Sequence, residues 1–214
     1  MQAQFIVVEG LEGAGKSTAI DSIKSLLKSA GITNILTTRE PGGTPLAEKI
    51  RHLVKDHFSP EPIYPETELL LMYAGRVQCI NHVVKPALAA GSWVISDRHE
   101  LSTRAYQGGG RQLPDTLIDA IYQAVLHGFK PDFTLYLDVD PKLGLQRAGQ
   151  RGVLDRIERE NLAFFERTRA RYLELASQDP LIVTVNAMQD LPAVQADILK
   201  ALQQRYPELS FSHG

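Results

Sequence analysis

The chain has 214 residues, of which 43% are hydrophobic and 22% are charged, a balance typical of one globular domain with an ordinary core. This composition argues against a disordered chain. The formal net charge is -2, with both signs spread along the sequence, which excludes the basic surface typical of proteins that bind nucleic acid as a bulk partner.

Five short apolar segments, taken in chain order, predict strands that are buried on both faces. They are residues 5–8, 35–38, 93–96, 133–137 and 181–185. Helical patterns lie between and after them, at residues 16–30, 66–90, 114–126, from 141 onward, and at about 192–206. The alternation predicts one α/β domain over residues 1–214, with three layers: a five-stranded parallel sheet and helices on both faces.

The first predicted strand is followed by a phosphate-binding motif. Residues 10–17 read Gly-Leu-Glu-Gly-Ala-Gly-Lys-Ser and match G-x-x-x-x-G-K-[ST] completely, between a strand and a helix. The backbone N–H groups would surround the β- and γ-phosphates, Lys16 would reach their oxygens, and the Ser17 hydroxyl would ligate Mg²⁺. The predicted ATP-binding residues are Gly10, Leu11, Glu12, Gly13, Ala14, Gly15, Lys16, Ser17 and Thr18.

Two further groups of charged residues are candidates for the same site. Asp97 and Arg98 end the third strand, where ligands of such sheets bind, so the carboxylate would face Mg²⁺ and the arginine a phosphate. The alternative for this pair is a surface ion pair. Arg147 and Arg151 share a helical face and would stabilise a transferring phosphoryl group. Their alternative is a solvated charged helix.

Residues 101–110 combine hydroxyl groups, an aromatic ring and an amide with three glycines, just beyond the third strand. Such groups would hydrogen-bond a base and flank a sugar. The same composition is typical of a flexible junction between a loop and a helix. Composition alone does not choose between these two interpretations.

Together, these motifs resemble those of bacterial thymidylate kinases, P-loop nucleoside monophosphate kinases, over essentially the whole chain. The resemblance rests on residues 10–18, 38–44 (Thr-Arg-Glu-Pro-Gly-Gly-Thr), 97–99 (Asp-Arg-His), 105–110 and 154–158 (Leu-Asp-Arg-Ile-Glu). It implies a five-stranded P-loop kinase fold with a short lid at about residues 141–160. It further implies phosphorylation of dTMP to dTDP by ATP with Mg²⁺, in a homodimer.

The resemblance also implies a role for each matching residue. Ser17 and Asp97 would hold Mg²⁺, and the catalytic residues would be Lys16, Arg98, Arg147 and Arg151. The lid arginines matter because the variable positions of this phosphate-binding loop carry no basic residue. The residues implied to bind dTMP are Glu12, Arg39, Pro41, Met72, Tyr73, Arg76, Arg98, Thr103, Tyr106 and Gln107.

Within that set, the resemblance places Glu12 near the deoxyribose 3′-hydroxyl and Tyr106 against the 2′ side of the sugar. Arg76 and Thr103 would hydrogen-bond the thymine, and Gln107 would lie beside it.

One position departs from the family pattern. The family usually stacks thymine on an aromatic residue four positions before the arginine that corresponds to Arg76. This chain has Met72 there and Tyr73 next to it, both on the helical face of Arg76. Either the Met72 thioether packs on the base or Tyr73 takes the stacking role.

Two other functions are compatible with the phosphate-binding motif. Another nucleoside monophosphate or deoxynucleoside kinase of the same fold is the nearest, because the single methyl that separates thymine from uracil is worth only ~1–3 kcal/mol. A P-loop switch that hydrolyses nucleotide is less favoured, because the sequence has no Asn-Lys-x-Asp motif. The long predicted helix that begins at Glu66 is the candidate dimer face.

The sequence also bears on the compartment. Cys79 is the single cysteine, so no internal disulfide is expected, and a reducing compartment is the simpler interpretation. The first residues lack the basic region of a signal peptide, and no uncharged apolar stretch reaches the ~18 residues of a membrane span. We expect a cytoplasmic protein without nucleic-acid or membrane partners.

Overall fold

The computed structural model describes residues 2–56, 61–150 and 153–211. Its centre is a five-stranded sheet in the order β2-β3-β1-β4-β5, and all neighbouring strands in it are parallel. The predicted five-stranded parallel α/β fold is confirmed. The strands are β1 (Phe5–Gly10), β2 (Ile35–Arg39), β3 (Trp93–Asp97), β4 (Phe133–Asp138) and β5 (Ile182–Asn186).

Helices surround this sheet. Every residue of β1 and β4 is buried, so both faces of the sheet are covered at its centre. The helices are α1 (Lys16–Ser29), α2 (Pro45–Lys55), α3 (Pro65–Cys79), α4 (Lys85–Ala89), α5 (Glu100–Thr103), α6 (Asp115–Leu126), α7 (Pro141–Gly149), α8 (Leu162–Gln178) and α9 (Leu191–Arg205). Among the described residues, none of these helices has the length and apolar character that a membrane span requires.

The register of the sheet brings the segments that follow β1, β2, β3 and β4 to one edge. Val8 in β1 and Arg39 in β2 both pair with Asp97 in β3, so these strands end at nearly the same height. On the other side of β1, Gly10 pairs with Leu137 in β4. The segments that follow these strands therefore meet at the carboxyl edge of the sheet, where ligands of this fold bind.

The helix predicted over residues 66–90 is present, with a change of pitch near its end. A π-helical segment, Ile80–Val84, separates α3 from α4, and the N–H of Lys85 donates to the carbonyl of Ile80, five residues earlier. Pro86 has no N–H to donate and would crowd the preceding α-helical turn. The wider π turn accommodates it, and the helix ends at Ala89.

Two helices were absent from the sequence prediction. α2 is capped by Thr44, whose Oγ1 accepts the N–H of Ala47 at 3.1 Å, and begins at Pro45. α8 is capped by Asn161, whose side-chain oxygen accepts the N–H of Phe164 at 2.9 Å. Both helices follow a capping residue that the apolar pattern alone does not identify.

Residues 101–110 are helical, so the alternative of a flexible loop junction is wrong. α5 continues directly into a second π-helical segment, Arg104–Gly110, which packs against α8. A Cβ at Gly110 would lie 2.5 Å from the ring of Phe164 and 2.7 Å from Oγ1 of Thr168. Glycine at this position thus allows α8 to approach closely.

The segment predicted as a lid, residues 141–160, begins with α7 and continues from residue 153 as turns. These turns contact α2 and α3: Lys55 pairs with Asp155 at 2.5 Å, and Arg156 donates to the Val54 carbonyl at 2.8 Å. Arg156 also pairs with the buried Glu68 of α3 at 2.5 Å. The end of the predicted lid is thereby joined to α2 and α3.

Candidate active site

The loop between β1 and α1 has the geometry of a phosphate-binding loop. Gly10, Gly13 and Gly15 have φ angles of 147°, 75° and 88°, which L side chains rarely adopt. α1 begins at Lys16, so the positive end of the helix dipole faces the loop. The Lys16 ammonium donates to the carbonyls of Gly10 (3.1 Å) and Leu11 (3.0 Å), and burial lowers its pKa to about 8.

A cavity of about 400 Å³ opens in front of this loop. Many of the predicted site residues line it: Glu12, Gly13, Gly15, Lys16, Ser17, Thr18, Arg39, Pro41, Met72, Asp97, Arg98, Tyr106 and Arg147. The side chains of Leu11 and Ala14 are instead buried in the hydrophobic core. The cavity therefore combines the phosphate-binding loop with the segments that follow β2 and β3.

Arg98 presents its guanidinium to this cavity from the turn after β3, where its own φ is 72°. The guanidinium donates to Glu12 (2.6 Å), Ser102 (3.0 Å) and Tyr106 (3.2 Å), with a longer contact to the hydroxyl of Tyr172 (3.4 Å). These acceptors hold a strongly basic group at the entrance to the phosphate-binding loop. A guanidinium in this position is suited to bind a second phosphate.

Glu12 lies between the two cationic groups. Its carboxylate pairs with Arg98 and accepts the Tyr106 hydroxyl at 2.5 Å. Burial by itself would raise the pKa of Glu12, but Arg98 and Lys16 outweigh it, so the pKa lies below its ordinary value. The ionised carboxylate is an acceptor within the cavity, as binding a sugar hydroxyl would require.

The loop after β2 adds further positive charge. Arg39 lines the cavity and pairs with Glu48 at 2.8 Å, while Glu48 also accepts the N–H of Gly43 at 2.9 Å. Arg51 of α2 lines the cavity as well and donates to the Pro41 carbonyl at 3.0 Å. Arg51 was not identified from the sequence as a site residue because α2 was not predicted. The Thr44-Pro45 pair, a typical helix start, was the signal that could have indicated this helix.

The structure separates the two candidates for stacking on the base. Met72 lines the cavity, whereas Tyr73 is 2% exposed and points into the contact between α3 and α6. The hydroxyl of Tyr73 donates to Glu100 at 2.7 Å. Tyr73 therefore packs in the core, and of the two residues only Met72 is positioned to contact a ligand in the cavity.

Three other residues implied to contact the base are buried beside this region. Arg76 donates to Glu40 (2.7 Å), Glu100 (3.0 Å) and a backbone carbonyl, so protein groups already engage its guanidinium. In contrast, Oγ1 of Thr103 and Oε1 of Gln107 are buried without a hydrogen-bond partner among the described residues. Buried polar atoms normally have partners, so these two atoms have unused capacity for a ligand.

The two predicted Mg²⁺ ligands, Ser17 and Asp97, both line the cavity. Oδ1 of Asp97 is buried and lacks a hydrogen-bond partner within the described ranges. Across the same residues, no cluster of three or more His, Cys, Asp or Glu side chains could hold a metal ion. One hydroxyl and one carboxylate fit Mg²⁺, which usually keeps waters and substrate phosphates among its ligands.

α7 packs directly on the phosphate-binding loop. A Cβ at Gly144 would lie 2.6 Å from the carbonyl oxygen of Glu12, and a Cβ at Gly13 would lie 2.2 Å from that of Gly144. Arg147, one turn further along, donates to the Ala187 carbonyl at 3.0 Å. Arg151, the other predicted lid arginine, lies outside the described residues.

Comparison with known proteins agrees with this geometry. The family model described as thymidylate kinase matches residues 8–198. A thymidylate kinase from Vibrio parahaemolyticus is 59% identical over 204 residues, which cover 95% of this chain and 97% of the relative. One from Vibrio vulnificus is 59% identical over 201 residues, covering 94% and 95%. The crystal structure of thymidylate kinase from Ehrlichia chaffeensis is 30% identical and superposes with a TM-score of 0.75, covering 95% of this chain and 99% of that one.

The chain belongs to the thymidylate kinase family. Members of this family are phosphotransferases, and the resemblance inferred from the motifs is confirmed. Lys16 and Arg98, two residues that the sequence predicted to be catalytic, line the same cavity.

The close packing of α7 on the phosphate-binding loop leads to a testable expectation. Gly144→Ala should displace the loop, lower kcat/KM for ATP by about ten- to a hundredfold, and destabilise the fold by about 1–3 kcal/mol. Gly149→Ala is the matched control in the same helix, because its Cβ would meet no atom within 4 Å. It should retain activity and stabilise the fold by about 0.5–1 kcal/mol. Steady-state kinetics and urea unfolding measure both effects; wild-type behaviour of Gly144→Ala would contradict the packing argument.

Proposed function

We propose that this member of the thymidylate kinase family transfers the γ-phosphoryl group of ATP to the phosphate of dTMP, giving ADP and dTDP. The observation that supports this most strongly is the position of two cations. Lys16, at the start of α1, and Arg98, directly after β3, line one cavity beside the neighbouring strands β1 and β3. A cavity with one cation for a donor phosphate and another for an acceptor phosphate suits transfer between two nucleotides.

On the donor side, the N–H groups of the phosphate-binding loop, residues 10–18, bind the β- and γ-phosphates of ATP. Lys16 exchanges its contacts with the loop carbonyls for phosphate oxygens. Arg147, which contacts the Gly13 carbonyl of the loop at 3.5 Å, and Arg151 supply positive charge to the transferring group from the lid. Because phosphoryl transfer spreads charge over the equatorial oxygens, such donors stabilise its transition state.

On the acceptor side, Arg98 binds the phosphate of dTMP, and the neighbouring Arg39 and Arg51 add to the positive potential. Glu12 accepts a hydrogen bond from the deoxyribose 3′-hydroxyl. The Tyr106 ring, whose hydroxyl already bonds to Glu12, occupies the space that a ribose 2′-hydroxyl would need. This arrangement favours deoxyribonucleotides.

Met72 packs on the thymine ring through its thioether. Thr103 and Gln107 hydrogen-bond the base with their unpartnered atoms. Arg76 reaches the edge of the base from its fixed position against Glu40. A buried pocket of this kind distinguishes thymine from uracil by one methyl group, worth about 1–3 kcal/mol, so dUMP is expected to be a weak substrate.

The reaction needs no covalent intermediate on the protein. A phosphate oxygen of dTMP attacks the γ-phosphorus in line while the bond to the ADP oxygen breaks, and positioning of the two phosphates supplies most of the rate enhancement. Ser17 and Asp97 are the residues that would hold Mg²⁺, which neutralises charge on the β- and γ-phosphates. Contacts between the lid and α2 restrict water around the transferring group.

We also propose that the protein acts as a homodimer in the cytoplasm, where a single buried thiol, Cys79, stays reduced. The neighbouring helices α3 and α6 support a dimer. Leu70 on α3 is 57% exposed and Leu117 on α6 is 36% exposed, and exposed alanines flank both of them. Apolar side chains on the outer sides of two packed helices are typical of an interface between subunits.

Release of ADP from ATP and Mg²⁺ tests the proposed reaction. With dTMP, dUMP, UMP, CMP, AMP, GMP or thymidine as acceptor, dTMP should give the highest kcat/KM, dUMP about ten- to a hundredfold less, and UMP almost none. The Lys16→Ala variant should lose most of the dTMP-dependent activity. A better acceptor than dTMP would overturn the thymine pocket, and release that needs no acceptor would favour a hydrolytic switch.

The proposed dimer can be tested by sedimentation. Leu70→Glu would place a charge in the interface and should convert the protein to a monomer at micromolar concentration, because an unpaired buried charge costs several kcal/mol. Leu191→Glu on α9, where the leucine is 52% exposed, is a matched control that should leave the mass unchanged. A wild-type protein that sediments as a monomer would refute the dimer.

A further inference from the structure

Glu9 is a fully buried carboxyl group that none of the roles above uses. It lies in β1 immediately before the phosphate-binding loop, and none of its surface is exposed. Burial raises the pKa of Glu9 above its ordinary value, although Arg98 and several hydrogen bonds act in the opposite direction. Carboxyl groups are almost never fully buried unless they are paired, so the partners of Glu9 indicate its purpose.

Four donors bind this carboxylate, and all of them belong to the acceptor side of the site. Oε1 accepts the backbone N–H groups of His99 (2.8 Å) and Ser102 (3.2 Å). Oε2 accepts the hydroxyls of Ser102 (2.5 Å) and Tyr172 (2.9 Å). The first pair fixes the backbone that follows Arg98, and the second pair connects to the Arg98 side chain.

The connection to Arg98 depends on the direction of two hydroxyl protons. Ser102 and Tyr172 each have one hydroxyl proton: Ser102 donates to Glu9 at 2.5 Å, and the Tyr172 hydroxyl lies 2.9 Å from both Glu9 and Ser102, so both protons are directed away from Arg98. Their oxygens then present only lone pairs to the guanidinium, which donates to Ser102 at 3.0 Å and to Tyr172 at 3.4 Å. A carboxylate at this position therefore orients both hydroxyls as acceptors for Arg98.

The backbone of Arg98 also needs this support. Its φ of 72° is uncommon for a residue with a side chain, and such a conformation costs of order 1–3 kcal/mol. The turn is held on one side by Arg98 N–H donation to Val8 (2.9 Å) and on the other by His99 N–H donation to Glu9. Glu9 thus supports both the strained turn and the side chain that it presents.

We propose that Glu9 is a positioning residue for the acceptor phosphate: through His99, Ser102 and Tyr172 it holds the Arg98 guanidinium in the orientation that binds the phosphate of the acceptor nucleotide. The proposal rests on the proposed function, because it assigns the acceptor phosphate to Arg98. Glu9 itself does not touch the substrate.

A purely structural role for Glu9 makes a different prediction. Glu9 is bonded to Gly10, the first residue of the phosphate-binding loop, so a general disturbance of β1 would impair ATP binding at least as much as dTMP binding. A positioning role acts through Arg98 and affects the acceptor phosphate selectively. The two roles differ in which substrate loses affinity.

The test is the Glu9→Gln variant, which keeps the shape of the side chain. It replaces one carboxylate oxygen, which accepts hydrogen bonds, with an NH₂ group, which would face the N–H and hydroxyl donors that now bind Glu9. Because hydrogen bonds to charged groups contribute about 1.5–3 kcal/mol, KM for dTMP should rise by about tenfold or more. KM for ATP should stay within about twofold of the wild-type value, since the loop contacts of Lys16 are unchanged. Equal increases in both KM values would overturn the proposal.

Direct binding provides a second measurement that needs no turnover. In calorimetric titrations, Glu9→Gln should weaken binding of dTMP about tenfold and leave binding of thymidine, which lacks the phosphate, unchanged. Loss of both ligands together, or of neither, would overturn the positioning role. If wild-type protein bound dTMP no better than thymidine, the proposed function would fail instead.

Tyr172→Phe keeps the proposal testable if Glu9→Gln does not fold. It removes one hydroxyl and leaves the ring stacked on Tyr136, whose centroid lies 4.7 Å away. Its KM for dTMP should rise by about two- to fivefold, with KM for ATP unchanged, because Ser102 still orients Arg98. An unchanged KM for dTMP, or an equal rise for ATP, would overturn the proposal.

Discussion

The register of the parallel sheet is the constraint on which the site depends. Since Val8 and Arg39 both pair with Asp97, β2 and β3 end level with each other and β1 ends two residues further on, at Gly10, so the segments after all three strands meet at one edge. The loop after β1, which we propose binds the donor phosphates, and Arg98, in the turn after β3, line the same cavity. A shift of one residue in β3 would turn every side chain of that strand to the other face and remove Asp97 from the cavity.

The second constraint is electrostatic. Arg98 is partly withdrawn from water, and a buried guanidinium is costly unless acceptors surround it. Glu12 supplies a direct ion pair, whereas Glu9 acts through two hydroxyls. The guanidinium is therefore oriented before any nucleotide arrives, and preorganised groups of this kind give phosphoryl transfer its rate.

The sequence predicted those elements whose formation depends on residues close together in the chain. The five strands, the phosphate-binding loop and the start of α7 at Asp140 were predictable, because apolar runs, glycines and capping side chains act locally. α8 was not predicted, since its buried residues Phe164 and Tyr172 pack against segments far away in the chain, and charged residues separate them.

The same reason explains the individual site residues. The helical pattern placed Met72 and Tyr73 on one face, but contacts with Glu100 and Ile118 draw Tyr73 into the core. Glu9 gave no signal in an apolar strand, because two of its partners, Ser102 and Tyr172, lie 93 and 163 residues further along. Such roles follow from tertiary contacts and cannot be derived from spacing.

The central claim is that one cavity holds a donor and an acceptor phosphate and passes a phosphoryl group between them. The most direct measurement follows the label from γ-labelled ATP in the presence of dTMP and Mg²⁺, with products separated by chromatography. The account predicts that the label appears in dTDP in equal amount to the ADP formed, with almost none in inorganic phosphate. Label released as inorganic phosphate at the same rate with and without dTMP would contradict it.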